Sequence, residues 1–214
     1  MTEAVHAALR MRDVVLCLRA AAEHQATLNR IRLQKYVYLT DALSLVYATL
    51  PPVDGHITYK NGPYDRAIQN AVDALAFRGF VHVAAGGVDG GQSTTYTLSS
   101  SGRTLATQLS DTPDLAVRWT AISDIAGQLD IHGWHRLREL AYAEPTFVRT
   151  RPSGLGQRLY PAAADDSNAN AILRLMRHSL AHGYADKQPT RALLLDLFFR
   201  FLNQYSMAAA AQLT

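Results

Sequence analysis

Apolar and polar positions follow two periods along this chain, and the switch from one to the other marks its elements. Residues 3–23 are rich in Ala and Leu and hold no Gly or Pro, which predicts a first helix. Val14, Val15 and Leu18 add a second stripe to it, so it packs on two sides. Residues 28–48 predict a second helix, with Thr27 as its N-cap. Its stripe of Leu33, Val37, Thr40 and Ser44 is flanked by Tyr36, Leu39, Leu43 and Val46. A helix apolar over so much of its surface belongs in the middle of a core, and Pro51-Pro52 ends it.

Residues 57–98 carry both periods. Ile57-Thr58-Tyr59-Lys60 reads as a short β-run and Asn61-Gly62 as a turn. Pro63 then takes the first position of a helix, where its missing N–H has no partner to lose. Tyr64, Ile68, Ala71, Val72 and Leu75 share one face of that helix. Gly79 holds the left-handed position just past its end. Residues 80–83 and 94–98 are rich in β-branched and aromatic types and form a hairpin around a glycine-rich tip, 86–93. Residues 99–103 open another helix. Helix, hairpin, helix is the order of a winged-helix module.

Beyond it, 101–109 reads as a short helix and Pro113 as a new start. Leu115, Trp119, Ile122, Ala126 and Leu129 make a clear stripe, broken at 131–133. A short helix over 134–143 ends at Pro145. Residues 146–167 show no period, and a loop that long is either functional or mobile. Two helices close the chain, over 168–181 and from Pro189-Thr190 to about 210. The last has Leu194, Leu197, Phe198, Phe201 and Tyr205 on its main stripe. The expected fold is α+β and mostly helical. A winged-helix-like half with a β-hairpin wing spans 1–110, and a helical-bundle half spans 111–214; the two can share one core.

Composition narrows the class. The chain has 214 residues, 48% of them hydrophobic, and a net charge of +3. That charge is too small to argue nucleic-acid binding by itself. Cys17 is the only cysteine, so no disulfide framework or thiolate zinc site forms within one chain. The first residues lack the basic-then-apolar order of a signal peptide. The longest apolar cluster, 193–202, is broken by Asp196 and Arg200, and no run is long enough to cross a bilayer. These features predict a soluble cytoplasmic protein, with no cofactor or metal implied.

Candidate contacts for nucleic acid or a partner protein follow from the basic and amide positions. Arg30, Arg32 and Lys35 make the first half of the second helix basic, either as a partner surface or as a solvated face whose stems cover apolar neighbours. Lys60 and Tyr64 flank the next turn. The exposed face of the following helix offers Arg66, Gln69 and Asn70, the types that read base edges, diluted by Asp65 and Asp73. The wing tip holds Asp89 and no Lys or Arg. Arg149, Arg151 and Arg158 lie in a stretch without acids before Asp165. A homodimer is expected because Leu193, Leu195 and Phe199 widen the apolar surface of the last helix beyond one stripe.

Leu33-Gln34-Lys35-Tyr36-Val37-Tyr38-Leu39 resembles the helix pattern of the SocA-like (Panacea) antitoxin-domain proteins and their YwgA-type relatives. Lys60-Asn61-Gly62-Pro63-Tyr64 is similar to the glycine-proline turn of that family, and Arg78-Gly79-Phe80-Val81 to its helix end. The resemblance covers roughly the first half of the chain. It implies a non-enzymatic module of bacterial toxin–antitoxin or phage-defence loci, with Lys35, Tyr38, Gly62, Pro63 and Tyr64 as marker positions.

Arg177-His178-Ser179-Leu180-Ala181-His182 resembles the motif of HEPN ribonucleases: an arginine, a polar residue, three residues, then a histidine. The resemblance implies that two protomers pair their motifs. Arg177 would hold the scissile phosphate, and His182 would move a proton without a metal. His178 fills the polar position. The same residues near a helix C-terminus also suit the macrodipole with no catalytic role. A conventional winged-helix transcription regulator is the third reading.

Overall fold

The first helix, α1 (Glu3–Glu23), starts where the Thr2 hydroxyl accepts the Val5 amide. A computed structural model describes residues 2–47, 53–85, 94–159, 168–183 and 190–211. The chain is α+β and mostly helical, with one three-stranded antiparallel sheet ordered β1-β3-β2. The second helix begins later than its apolar pattern predicts. Leu28–Asn29 form β1, paired with Tyr96 and Thr95 of β3 (Thr94–Leu98). The Asn29 side chain, not Thr27, accepts the Arg32 amide and caps α2 (Arg30–Ala42). From Leu33 to Ala42 every residue of α2 is buried.

α3 (Arg66–Phe77) starts three residues after Pro63. Asp65 is its cap, its carboxylate accepting the Ala67 amide at 2.8 Å. Tyr64 is not on the helix, because its backbone is already bonded both ways to Ile57, at 2.9 and 3.0 Å. Ile57 accordingly bridges Tyr64 and Arg158 and adds no strand to the sheet. Ile68, Ala71, Val72 and Leu75 form the buried face of α3 as expected. Gly79 follows at φ +75°, in the left-handed region a helix end requires. β2 (Val81–Ala85) then pairs with β3 in the register Val81↔Leu98 to Ala85↔Thr94.

α4 (Ser100–Asp111) is capped by Ser99, and α5 (Ala116–His132) ends at Gly133. α6 (Leu137–Ala143) does not end the ordered chain at Pro145. Glu144 accepts the Thr146 and Phe147 amides, and Pro145 occupies the first turn of α7 (Pro145–Thr150). The aperiodic stretch is therefore structured as far as Leu159. Its 154–159 segment lies along 56–58 through Thr58 N–H to Gln157 O at 2.8 Å and Leu159 N–H to His56 O at 2.9 Å. The hairpin tip 86–93, Pro51-Pro52, residues 160–167 and the turn at 186–189 lie outside the described residues.

α8 (Asn168–Gly183) packs on α7 and on α9 (Arg191–Ala211). Leu194, Leu195, Phe198, Phe199 and Leu202 are the buried positions of α9, while Leu193 and Tyr205 are exposed. Leu195 and Phe199 are thus covered within the chain, against neighbours that include α5 and α6. That takes Leu195 and Phe199 out of the apolar width offered as the ground for a homodimer and leaves Leu193 exposed. One buried apolar cluster joins α1, α2, α3 and the sheet to α5, α6 and α9, continuing across residue 110. Among the described residues no helix is long and apolar enough to cross a membrane.

Candidate functional site

Each polar residue at the start of α2 fastens a different neighbour. Gln34 grips the backbone of Asp65 from both sides: its amide N–H donates to Asp65 O, and its oxygen accepts Asp65 N–H, each at 2.9 Å. Lys35 Nζ donates to Pro63 O at 2.6 Å. The Tyr36 hydroxyl donates to Ile122 O at 2.7 Å, and the Tyr38 hydroxyl donates to the Glu144 carboxylate. The two segments 33–39 and 60–64 therefore meet at Lys35 and Pro63. Gly62 sits there at φ +84°, and a Cβ on it would fall 2.0 Å from the Tyr142 ring of α6. No other residue type lets the turn approach α6 so closely.

A cleft of about 400 Å³ opens between this turn and the start of α2. Arg30, Lys35 and Lys60 line it with Tyr59, Tyr64 and Gln34, and among the described residues no acidic one does. The Tyr59 and Tyr64 rings lie 5.2 Å apart at 32°, and the Arg30 guanidinium stands 6.0 Å over Tyr64. Lys35 does not belong to a solvated basic face: it is 2% exposed. Its ammonium lies 5.6 Å from the Tyr142 ring, which also carries the Arg138 guanidinium at 5.4 Å. Burial, and then Arg138, bring the Lys35 ammonium down to about 7. Among the described residues no carboxylate offsets either effect. The Tyr142 hydroxyl is buried here without a hydrogen-bond partner.

A second group of charges lies deeper. Arg10 reaches Asp65 at 2.7 Å, Asp41 at 2.7 Å, Asp13 at 3.2 Å and Val53 O at 3.0 Å. Arg118 of α5 grips Asp13 at 2.7 and 3.0 Å and Asp41 at 2.9 Å. His56 Nε2 lies 3.0 Å from Asp41. Burial works against the charge of both arginines, but the aspartates outweigh it and hold each guanidinium above its ordinary range. Burial likewise opposes ionisation of Asp41, and Arg10 and Arg118 overcome it, so its carboxyl stays well below the usual range. Burial lowers His56 in spite of Asp41. A neutral His56 then donates from Nε2 to Asp41. These groups tie α1, α2, α5 and the cap of α3 into one unit.

The other anticipated residues scatter. Arg32 turns back to Thr27 O at 3.1 Å, away from the cleft. Arg66 and Asn70 are exposed on α3, and Gln69 bonds Asp73 at 2.8 Å. Arg149 and Arg151 are exposed near the end of α7, and Arg158 faces Asp54 at 3.5 Å. Arg177, His178 and His182 lie on the outer face of α8, all exposed. His178 and His182 stack at 4.0 Å, and His182 Nδ1 lies 2.9 Å from His178 O. Among the described residues no third ligand joins these histidines to make a metal site.

Of the anticipated residues the structure brings Arg30, Lys35, Lys60 and Tyr64 together. Tyr59, Gln34, Arg138 and Tyr142 join them unanticipated. The Arg10 group also escaped the pattern, although Arg10 and Asp13 stand one turn apart beside the apolar run Val14–Leu18. Compared with models of known families and with curated proteins, the chain matches none.

Proposed function

We propose that this chain is a non-enzymatic binding and regulatory protein of the kind found in bacterial toxin–antitoxin and phage-defence loci. In this reading it is a cytoplasmic protein with a winged-helix-like first half and a helical-bundle second half. An anionic segment of its partner enters the cleft of Arg30, Lys35 and Lys60. The single observation that carries the reading is that this cleft gathers the exposed cations Arg30 and Lys60 and two aromatic rings, with no acid among the described residues that line it. Cations that track phosphates beside rings that take bases are the recurring means of holding single strands. A single-stranded nucleic acid therefore fits better than duplex DNA, for which α3 offers Arg66 against Asp73. The resemblance of 33–39 and 60–64 to antitoxin-domain segments supports the same kind of protein.

Fluorescence anisotropy with labelled single-stranded RNA and DNA tests it. With about two phosphates engaged, log affinity should fall with log salt at a slope of about −1.4. Binding of duplex DNA alone would favour a regulator that reads through α3. Absence of any nucleic-acid binding, with salt-sensitive capture of an acidic protein segment, would make the partner a protein.

A second reading, a metal-independent ribonuclease, has one observation in its favour. The Nδ1 contact of His182 with His178 O fixes the proton on Nδ1 in the neutral ring, leaving Nε2 as the basic nitrogen. Cleavage that survives chelators and leaves a cyclic phosphate would support it.

A further inference from the structure

Lys35 is buried as deeply as Arg10 and Arg118, yet it is paired with a carbonyl, not a carboxylate. An ammonium removed from water, with a carbonyl and the Tyr142 ring against it and the Arg138 guanidinium as its charged neighbour, loses hydration without gaining a counter-charge, and it relieves the conflict by giving up its proton. Lysines in such surroundings become nucleophiles. The bond to Pro63 O at 2.6 Å is compatible with that state. A neutral amine donates to the carbonyl through one N–H and keeps its lone pair for another direction. The cleft provides the approach, and its mouth carries Arg30 and Lys60, which suit an anionic group on the incoming molecule.

We propose that Lys35 is a nucleophilic amine that condenses with small aldehydes bearing a phosphate or carboxylate, forming an imine in the cleft. The lone pair of Nζ attacks the carbonyl carbon and the π bond breaks toward oxygen. A proton passes from nitrogen to that oxygen, giving a carbinolamine. Loss of the oxygen as water, with a second proton, leaves the C=N bond, so amine and aldehyde become imine and one water. No oxidant or further reactant enters. The protonated imine still has one N–H, which keeps the bond to Pro63 O. An amine near 7 is largely unprotonated at neutral pH, whereas an ordinary lysine is not.

The chain contains three lysines, Lys35, Lys60 and Lys187, so the site of reaction can be mapped without ambiguity. The folded protein is incubated near neutral pH with pyridoxal phosphate, reduced with borohydride, digested and analysed by mass spectrometry. The inference predicts that the reduced adduct on Lys35 exceeds that on Lys60 and Lys187 by about tenfold or more. The selectivity should disappear when the protein is labelled in urea. Inorganic phosphate should lower the labelling of Lys35, and pyridoxal without its phosphate should label it less. Lys35→Arg, checked for folding by circular dichroism, should lose the dominant adduct. Equal labelling of the lysines in the folded protein, or an unmodified Lys35 beside a labelled Lys60, would overturn the proposal. Undiminished labelling by pyridoxal and in phosphate would overturn the anionic requirement. None of these readouts depends on nucleic-acid binding, so the two proposals fail separately.

Discussion

Two places in this protein bury positive charge, and they handle it in opposite ways. Arg10 and Arg118 are 0% and 2% exposed and share Asp13 and Asp41, with Asp65 on Arg10 alone, at 2.7–3.2 Å. Lys35 is 2% exposed and has a carbonyl oxygen as its acceptor. The first group meets its charges with opposite charges, although Arg118 Nη1 and His56 Nδ1 find no hydrogen-bond partner among the described residues, and its work is to fix α1, α2, α3 and α5 in one arrangement. The second gives its amine only a carbonyl oxygen as acceptor, in the wall of an open cleft. Charge that the fold neutralises reads as architecture; buried charge that it leaves unneutralised reads as a place where something else must bind or react.

The sharpest way to break this contrast is to remove one member of each group. Asp41→Ala strips Arg10, Arg118 and His56 of a shared acceptor and should cost about 3–5 kcal/mol in urea unfolding. Lys35→Met should hold or raise the unfolding midpoint, because it deletes an amine that folding must desolvate and deprotonate. A loss above about 2 kcal/mol for Lys35→Met would place Lys35 with the structural charges.

Titration should separate them next. Lys35 in the folded chain lies at about 7, below its ordinary 10.5. Between those values the unfolded chain holds a proton that the folded chain does not, so stability rises with pH across this window and declines as pH falls toward 7. The wild-type curve minus the Lys35→Met curve should show that rise. Asp41 and Asp65 are depressed from 3.8, so their contribution is present above that value and is lost as pH falls through their folded-state values. Lys35→Met should leave the acid limb unchanged.

Smaller effects concern the cleft mouth and α8. Arg30→Ala and Lys60→Ala should each reduce the salt slope of single-strand binding by about 0.7. Arg177→Ala and His182→Ala, on an exposed face, should move stability by no more than about 0.5 kcal/mol. If the ribonuclease reading holds, either one removes nearly all cleavage and the double variant adds little. If it does not, neither changes any activity of the wild type.

The fold was legible where periodicity is uninterrupted: α1, the buried face of α3, the hairpin strands and the central burial of α2. It was misread where a side chain or a distant segment takes a backbone group. Asp65 moves the start of α3 past Pro63, Asn29 moves that of α2 past Thr27, and Glu144 turns Pro145 from an end into a beginning. No local pattern announces that 154–159 will lie along 56–58, since that pairing joins residues about a hundred apart. Arg30, Lys35, Lys60 and Tyr64 were legible as basic or aromatic positions. Their convergence was not, because it depends on Tyr142 packing over Gly62 and on Gln34 clamping Asp65.

Paired substitutions address the central claim most directly. Single-strand binding is measured at low salt for Arg30→Ala/Lys60→Ala and for Arg66→Ala/Arg78→Ala, each removing two positive charges from an exposed surface. The account predicts that the first pair loses most of the affinity and the second keeps nearly all of it. Equal losses would mean binding by overall charge, and a loss confined to the α3 pair would contradict the cleft as the binding site.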